Sequence, residues 1–328
     1  MYIKTFSYLN KIYKKIIINY QKKKLHHAII VESYYLYDIY WLIYCISKWI
    51  LCHNKLNIYA CETCTSCILI KKKNHPDFYI FHPNKLDKIC DIEKLRKIII
   101  SIQNTPQQNQ NKILWIPNYH TLTLFSINTL LKILEEPPKN TFFFIGNIIG
   151  NTLHPTFRSR LLLHRIPIVT EKFILNWIKK KKIYNQKKFF IEFRINNHDF
   201  HATIQSIKKK MWVKRKFLYQ TIHSLINQKN FLKLLPILNN KECIIQLNWI
   251  ILLFLDSLKK KSNIFYTIIN IDYIDLIHKI NQTYSYFYIS KILDIWIKCR
   301  YQIFTIKNIN QELLILKNLL KWNIFHNK

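Results

Sequence analysis

Short apolar runs alternate with longer amphipathic stretches through the first half of the chain. Residues 28–32 (AIIVE) form a compact apolar run of the kind that fills a strand buried on both faces. The apolar stretch over 37–52 is long enough for a helix. Residues 77–82 (DFYIFH), 112–116 (KILWI) and 141–145 (TFFFI) repeat the strand pattern. Between them the spacing predicts a helix over 92–104, with Asp91 placed to cap it and with Glu93 early and Arg96 and Lys97 later, as the helix dipole favours. A second helix is expected over 127–136, capped by Ser126 and stopped by Pro137 and Pro138. Strands alternating with helices predict an α/β fold whose parallel sheet is covered on both faces.

Beyond about Pro167 the strand signals fade. Residues 171–182 and 189–194 read as helical, Asn196-Asn197-His198-Asp199 marks a break, and from Met211 onward helix follows helix. Apolar residues recur at three-to-four spacing as far as Leu313, Leu314, Leu316, Leu319 and Leu320. A chain of 328 residues is too long for one core. The pattern divides it into an α/β domain over 1–166, a small helical domain over 167–207 and an all-helical domain over 208–328, with no internal repeat.

The longest apolar stretches, 39–52 and 243–258, are interrupted by Ser47 and Lys48, and by Gln246, Asn248 and Asp256. Neither reaches the ~18 residues that a bilayer span requires. The opening MYIKTFSYLNK lacks the basic, apolar, small-residue order of a signal peptide, so the expected compartment is the cytoplasm.

Cys52, Cys61, Cys64 and Cys67 bring the first candidate chemistry, with a spacing of C-x8-C-x2-C-x2-C. Dense thiols in a chain without secretory features point to a metal rather than to disulfides. Four thiolates make a closed tetrahedral set, which suits structural zinc. An iron–sulfur cluster is the rival, but its pattern continues with x3-C-P, whereas Ile68, Leu69, Ile70 and Lys71 follow Cys67. Cys45, Cys90, Cys243 and Cys299 fit ordinary core positions.

Net charge is +33, from 51 Lys+Arg against 18 Asp+Glu. Taken alone, that would indicate nucleic acid. The chain is also rich in Ile, Asn, Tyr and Phe, and has only Gly146, Gly150, Ala28, Ala60 and Ala202 as its glycines and alanines. A+T-rich coding accounts for this whole composition. The lysine runs at 22–24, 71–73, 179–182, 208–210 and 259–261 therefore read as solvated surface.

Several motifs occur in one order: His26-His27-Ala28, the cysteine quartet, Asn74-His75-Pro76-Asp77, residues 128–138 (NTLLKILEEPP) and Arg158-Ser159-Arg160. This order closely resembles the delta-prime family of bacterial DNA polymerase III subunits, clamp-loader members of the AAA+ class. Residues 308–314 (NINQELL) are similar to the family's last domain. The resemblance is densest over 26–165 and thin over 167–300. It implies an AAA+ (RecA-like) domain with an inserted zinc module, a helical lid and an all-α collar domain. It also implies a hetero-oligomer with the gamma/tau ATPase subunits and the delta subunit, acting through the sliding clamp on primed DNA, with no membrane partner. Such a subunit belongs to a DNA-directed DNA polymerase holoenzyme (a nucleotidyltransferase) without catalysing a reaction alone. The competing reading is an independent zinc-containing nucleic-acid-binding protein, although no RNP-like aromatic motif or recognisable reading helix is present.

The nucleotide chemistry can be judged on the residues themselves. A phosphate-binding loop needs glycines after the first strand, then Lys and Ser/Thr. Here Ser33-Tyr34-Tyr35-Leu36-Tyr37-Asp38 follows, with neither glycine nor lysine. The third strand runs into Pro117-Asn118-Tyr119, with no carboxylate for Mg²⁺. Neither ATP binding nor ATP hydrolysis is expected of this chain. The resemblance does imply one residue that acts in trans: Arg160, after Ser159, falls where the family presents an arginine finger to ATP on a neighbouring subunit. Leu161 replaces the family's Cys. Asn147 falls at a polar sensor position, residues 196–202 replace a region that is glycine-rich in the family, and His53 and His75 lie near enough to the cysteines to be rival ligands.

Overall fold

The computed structural model describes residues 7–82, 88–108, 111–180, 186–228, 230–306 and 309–327. Two compact units divide at Ile168 and Val169.

The first unit is built on a five-stranded sheet, ordered β2-β3-β4-β1-β5, with every neighbouring pair parallel. The strands are β1 (Ala28–Ser33), β2 (Phe78–Ile80), β3 (Lys112–Ile116), β4 (Thr141–Ile148) and β5 (Leu162–Arg165). The first four fall where the apolar runs predict them. The fifth is an addition, a four-residue edge strand, LLHR, whose two polar residues and partial exposure hide it from a hydrophobicity reading. Alternate residues feed two cores. Ala28, Ile30, Leu114, Ile116, Phe143 and Ile145 pack with Leu95, Ile102, Leu130 and Phe157 on one face. On the other, Trp115 meets Tyr40 at 4.6 Å between ring centres, and Phe142 meets Tyr20 at 5.5 Å. Tyr40 and Tyr20 belong to the helices Leu36–Ile50 and Asn10–Gln21, the second of which the hydrophobic pattern did not single out.

Two expected caps are corrected. The helix over Leu124–Glu135 starts ahead of Ser126, and its cap is Thr123, whose Oγ1 accepts from the Ser126 N–H at 3.2 Å. The helix over Lys88–Gln103 begins ahead of Asp91, which therefore lies within the helix rather than capping it. Its far end is closed by Lys112, 2 % exposed, whose ammonium donates to the carbonyls of Ile102 and Asn104. A cation there satisfies the unpaired carbonyls and opposes the negative end of the helix dipole.

The second unit contains no strand among the described residues. Its helices run Glu171–Lys180, Gln186–Ile195, Phe200–Lys208, Met211–Gln228, Leu235–Leu238, Cys243–Lys261, Ile274–Thr283, Tyr286–Thr305 and Gln311–Asn327. Residues 181–182, the tail of the first expected helix, lie outside the described residues. So does the side chain of Cys90. Trp322 sits at the core's centre, stacked on Phe231 at 4.1 Å and edge-on to Phe254 and Trp296. Cys243 and Cys299 are buried in the same core. The loop before Ile274 is fixed by Asp256, fully buried, which accepts from the backbone N–H groups of Ile269 and Asn270. The Asn270 side chain in turn accepts from Tyr219 and Arg215. Among the described residues no helix is long and apolar enough to cross a membrane.

Glycine is nearly absent, and its usual work at helix ends falls to other residues. After the Asn10–Gln21 helix, Lys23 adopts φ 58° while the N–H groups of Lys23 and Lys24 bond to the carbonyls of Tyr20 and Asn19. Lys73 (φ 61°) and Asn263 (φ 61°) repeat this double-bonded ending after the helices Thr65–Lys71 and Cys243–Lys261. One glycine is sterically required. A Cβ on Gly146 would stand 2.0 Å from the Pro117 carbonyl oxygen and 2.7 Å from Ile39 Cγ2. Gly146→Ala is expected to destabilise the first unit by about 1–3 kcal/mol, measured by denaturant unfolding followed through tryptophan fluorescence.

Candidate functional site

Cys52 lies just past the end of the Leu36–Ile50 helix, Cys61 and Cys64 lie in the following loop, and Cys67 is in the Thr65–Lys71 helix. The fold brings their four sulfurs within 4.8 Å of one another. Sγ of Cys52 stands 3.4 Å from that of Cys61 and 3.9 Å from that of Cys64, and Cys61 and Cys67 are 4.0 Å apart. Tetrahedral metal–sulfur bonds of about 2.3 Å require sulfur separations of about 3.8 Å. The quartet is therefore spaced to hold a metal ion. Backbone N–H groups are already aimed at the sulfurs, from Cys61 to Cys52 and from Cys64 to Cys61, both at 3.4 Å. Burial works against ionisation of Cys61, but the N–H groups of Cys64 and Thr63 outweigh it and bring the thiol down to about 6. Burial pushes Cys67 and Cys52 upward. A bound cation resolves this conflict, because all four sulfurs can then be thiolates.

Neither histidine joins the set. His53 is exposed, and its backbone N–H faces the Cys64 sulfur. His75 is 4 % exposed and serves as a brace. Its Nε2 lies 2.9 Å from Ser66 Oγ, and its Nδ1 accepts from the Asp77 N–H at 3.1 Å. Ser66 donates to the Leu51 carbonyl at 2.6 Å. Since Ser66 spends its proton on Leu51, His75 must carry its own on Nε2, leaving Nδ1 free to accept; the two bonds demand the same tautomer. Burial lowers the pKa of this imidazole, in keeping with a neutral ring. The chain of bonds ties Ser66, the neighbour of Cys67, to Leu51, the neighbour of Cys52. The intervening loop has anchors of its own, Trp49 Nε1 to the Asn57 carbonyl at 3.0 Å and Tyr13 to the Ile58 carbonyl at 2.6 Å.

At the carboxyl ends of the strands, where a nucleotide would bind in an α/β sheet, side chains bond to one another. Ser33 Oγ accepts from the Tyr35 N–H at 3.2 Å, and Asp38 accepts from Tyr8 and from Ser33. Tyr34 and Leu36 are about half exposed. Asn147 donates to Glu32 Oε1 at 3.0 Å, and Arg165 holds Oε2 of the same carboxylate at 3.0 Å. Asn118 caps a short turn by accepting from the His120 N–H. No carboxylate ends β3.

Arg160 lies in the loop between the Pro155–Arg158 turn and β5. One guanidinium nitrogen donates to the Thr156 carbonyl at 2.8 Å, and the other pairs with Glu135. Arg158 is exposed on the same segment.

Comparison with known proteins decides the family. A family model described as DNA polymerase III, delta subunit, matches residues 8–170, and one described as its C-terminal part matches residues 209–323. DNA polymerase III subunit delta' of Buchnera aphidicola subsp. Schizaphis graminum is 37% identical over 320 residues, which cover 98% of this chain and 97% of that protein. The chain belongs to the delta-prime family. The Escherichia coli K12 delta' subunit is 26% identical, with 96% of this chain and 94% of that protein covered. DNA polymerase III subunit gamma of the same Buchnera is 30% identical over 156 residues, covering 48% of this chain and 42% of that protein.

Within this delta-prime family member, the sequence motifs locate the sulfurs and the arginine but not their supports. Nothing local flags Ser66 as the link between two cysteine segments, or Glu135 as the partner of an arginine 25 positions away. His75→Ala is expected to weaken binding of a divalent metal about 10- to 100-fold with all four cysteines intact, read by competition against a chromogenic chelator.

Proposed function

We propose that the chain is a non-hydrolysing stator subunit of the DNA polymerase III clamp loader. In this reading it helps load the sliding clamp on primed DNA in the cytoplasm, in a hetero-oligomer with the gamma/tau ATPase subunits and the delta subunit. Membership of the delta-prime family supports the assembly. The observation that carries the stator role is the Ser33–Asp38 turn, which lacks both glycine and lysine and is tied together by its own side chains. It offers no cradle of backbone N–H groups to a phosphate chain, so ATP is not held here. Residues 167–207 then serve as a small helical lid domain and 208–328 as the collar that joins the ring.

Zinc is the metal we assign to Cys52, Cys61, Cys64 and Cys67. It would cross-link a loop that has little apolar core of its own. Four soft sulfurs at tetrahedral spacing favour it, and the absence of x3-C-P after Cys67 disfavours an iron–sulfur cluster. Metal analysis of the purified protein is expected to return close to one zinc per chain; iron with a visible charge-transfer band would overturn the assignment.

Arg160 is the residue we assign to catalysis in trans. A guanidinium is always charged and forms two parallel hydrogen bonds to phosphate oxygens, so it can stabilise charge on the γ-phosphate of ATP held by the adjacent subunit. Arginine fingers account for roughly 10³–10⁵ in turnover at a single site; one site among several in a ring contributes a smaller share. Arg160→Ala is expected to leave metal content and assembly intact while lowering clamp- and DNA-stimulated ATP hydrolysis by the complex. Arg160→Lys should rescue poorly, and Arg158→Ala should matter less. Unchanged hydrolysis and clamp loading in both Arg160 variants would reduce this subunit to a scaffold.

A further inference from the structure

Arg160 already has an acceptor on its own subunit. Glu135, which takes one of its nitrogens, is the last residue of the Leu124–Glu135 helix before the double proline. That position is electrostatically poor for a carboxylate, because the carboxyl end of a helix carries the negative end of the dipole. A glutamate there gains from a cation beside it, and Arg160 is that cation. We infer that Glu135 is the positioning residue for Arg160, a counter-carboxylate that holds the guanidinium against its own subunit and gives it up to phosphate. The inference rests on the reading of Arg160 as a finger.

Carboxylate and phosphate oxygens are acceptors of the same kind for a guanidinium, so they compete for the same N–H groups. Exchange requires a pair that is neither buried nor locked. The Arg160 and Glu135 side chains are 34% and 50% exposed, and pairs of this kind bias a conformation without trapping it. Arg165 provides the contrast. Arg165 itself is 62% exposed, but its partner Glu32 is only 9% exposed as a side chain and is gripped a second time by Asn147. In that pair the carboxylate is buried and held twice; in the Glu135 pair neither partner is buried. The Thr156 carbonyl keeps hold of the other guanidinium nitrogen, so the arginine can swing toward a docked neighbour from a defined starting point.

Glu135→Gln keeps the shape and removes the charge. In the reconstituted complex of ATPase subunits, delta and this chain, it should lower the apparent KM for ATP about two- to fivefold, the range an exposed ion pair can supply. Hydrolysis without DNA should rise by a similar factor, while kcat at saturating ATP, clamp and primed DNA stays within about twofold. The effect should shrink as salt is raised and vanish in an Arg160→Ala background, an interaction that additive structural damage would not produce. Circular dichroism and metal content serve as folding controls. If Arg160→Ala alone leaves hydrolysis unchanged, the finger reading fails and this inference falls with it. If Arg160→Ala lowers hydrolysis but Glu135→Gln behaves as wild type, raises KM, or acts equally in the Arg160→Ala background, the finger stands and the role of Glu135 is overturned.

Discussion

Strand β4 is hydrogen-bonded to β3 along one edge and to β1 along the other, and this double pairing positions nearly everything that bears on function. Its register puts Asn147 beside Glu32. Its entry follows the helix that ends at Glu135, and its exit leads to the turn that carries Arg160. The pairing holds only because Gly146 lets the backbone of β4 pass close to Pro117 at the end of β3. A side chain there would separate the strands at the edge where a nucleotide site would lie. Rigidity at this edge suits the role proposed above for Arg160, since a side chain can be no better placed than the strand behind it.

Four of the five strands and the cysteine quartet were legible in the sequence, for opposite reasons. The strands announce themselves by apolar runs such as KILWI and TFFFI, which only a sheet buried on both faces can accommodate. The quartet announces itself by rarity. What stayed hidden is short, polar or distant. β5 has four residues and an exposed face. Thr123 and Ser126 are both plausible caps three positions apart, and only backbone geometry distinguishes the one that accepts. Glu32 and Arg165 are 133 positions apart and meet only because β5 lies against β1. Local pattern reports on an element's own faces; it carries no information on which charge will stand beside which.

The cysteine quartet and Arg160 differ in how each is supported. Around the sulfurs the bonds form a closed set, with Ser66, His75, Asp77 and the Leu51 carbonyl each satisfied in one tautomer. Such networks fix geometry and change little with conditions. Around Arg160 the contacts are exposed and few, so salt, a docking subunit or a competing anion can rearrange them. A cysteine quartet braced by buried bonds and an exposed ion pair thus share one unit, and the two differ in how firmly each is held.

The left-handed lysines and asparagine at the helix ends carry a consequence for the chain's stability margin. Lys23 and Lys73 each hold a conformation that costs an L-residue roughly 1–2 kcal/mol and glycine almost nothing, while an asparagine such as Asn263 tolerates it better. Net folding free energies are only about 5–15 kcal/mol. Such endings therefore offset an appreciable part of what the aromatic cores supply, and the first helix turns to fray on warming should be those that stop on a left-handed lysine. Glycine scarcity, visible in the composition as a mere count, is present in the folded chain as stored backbone tension at its corners.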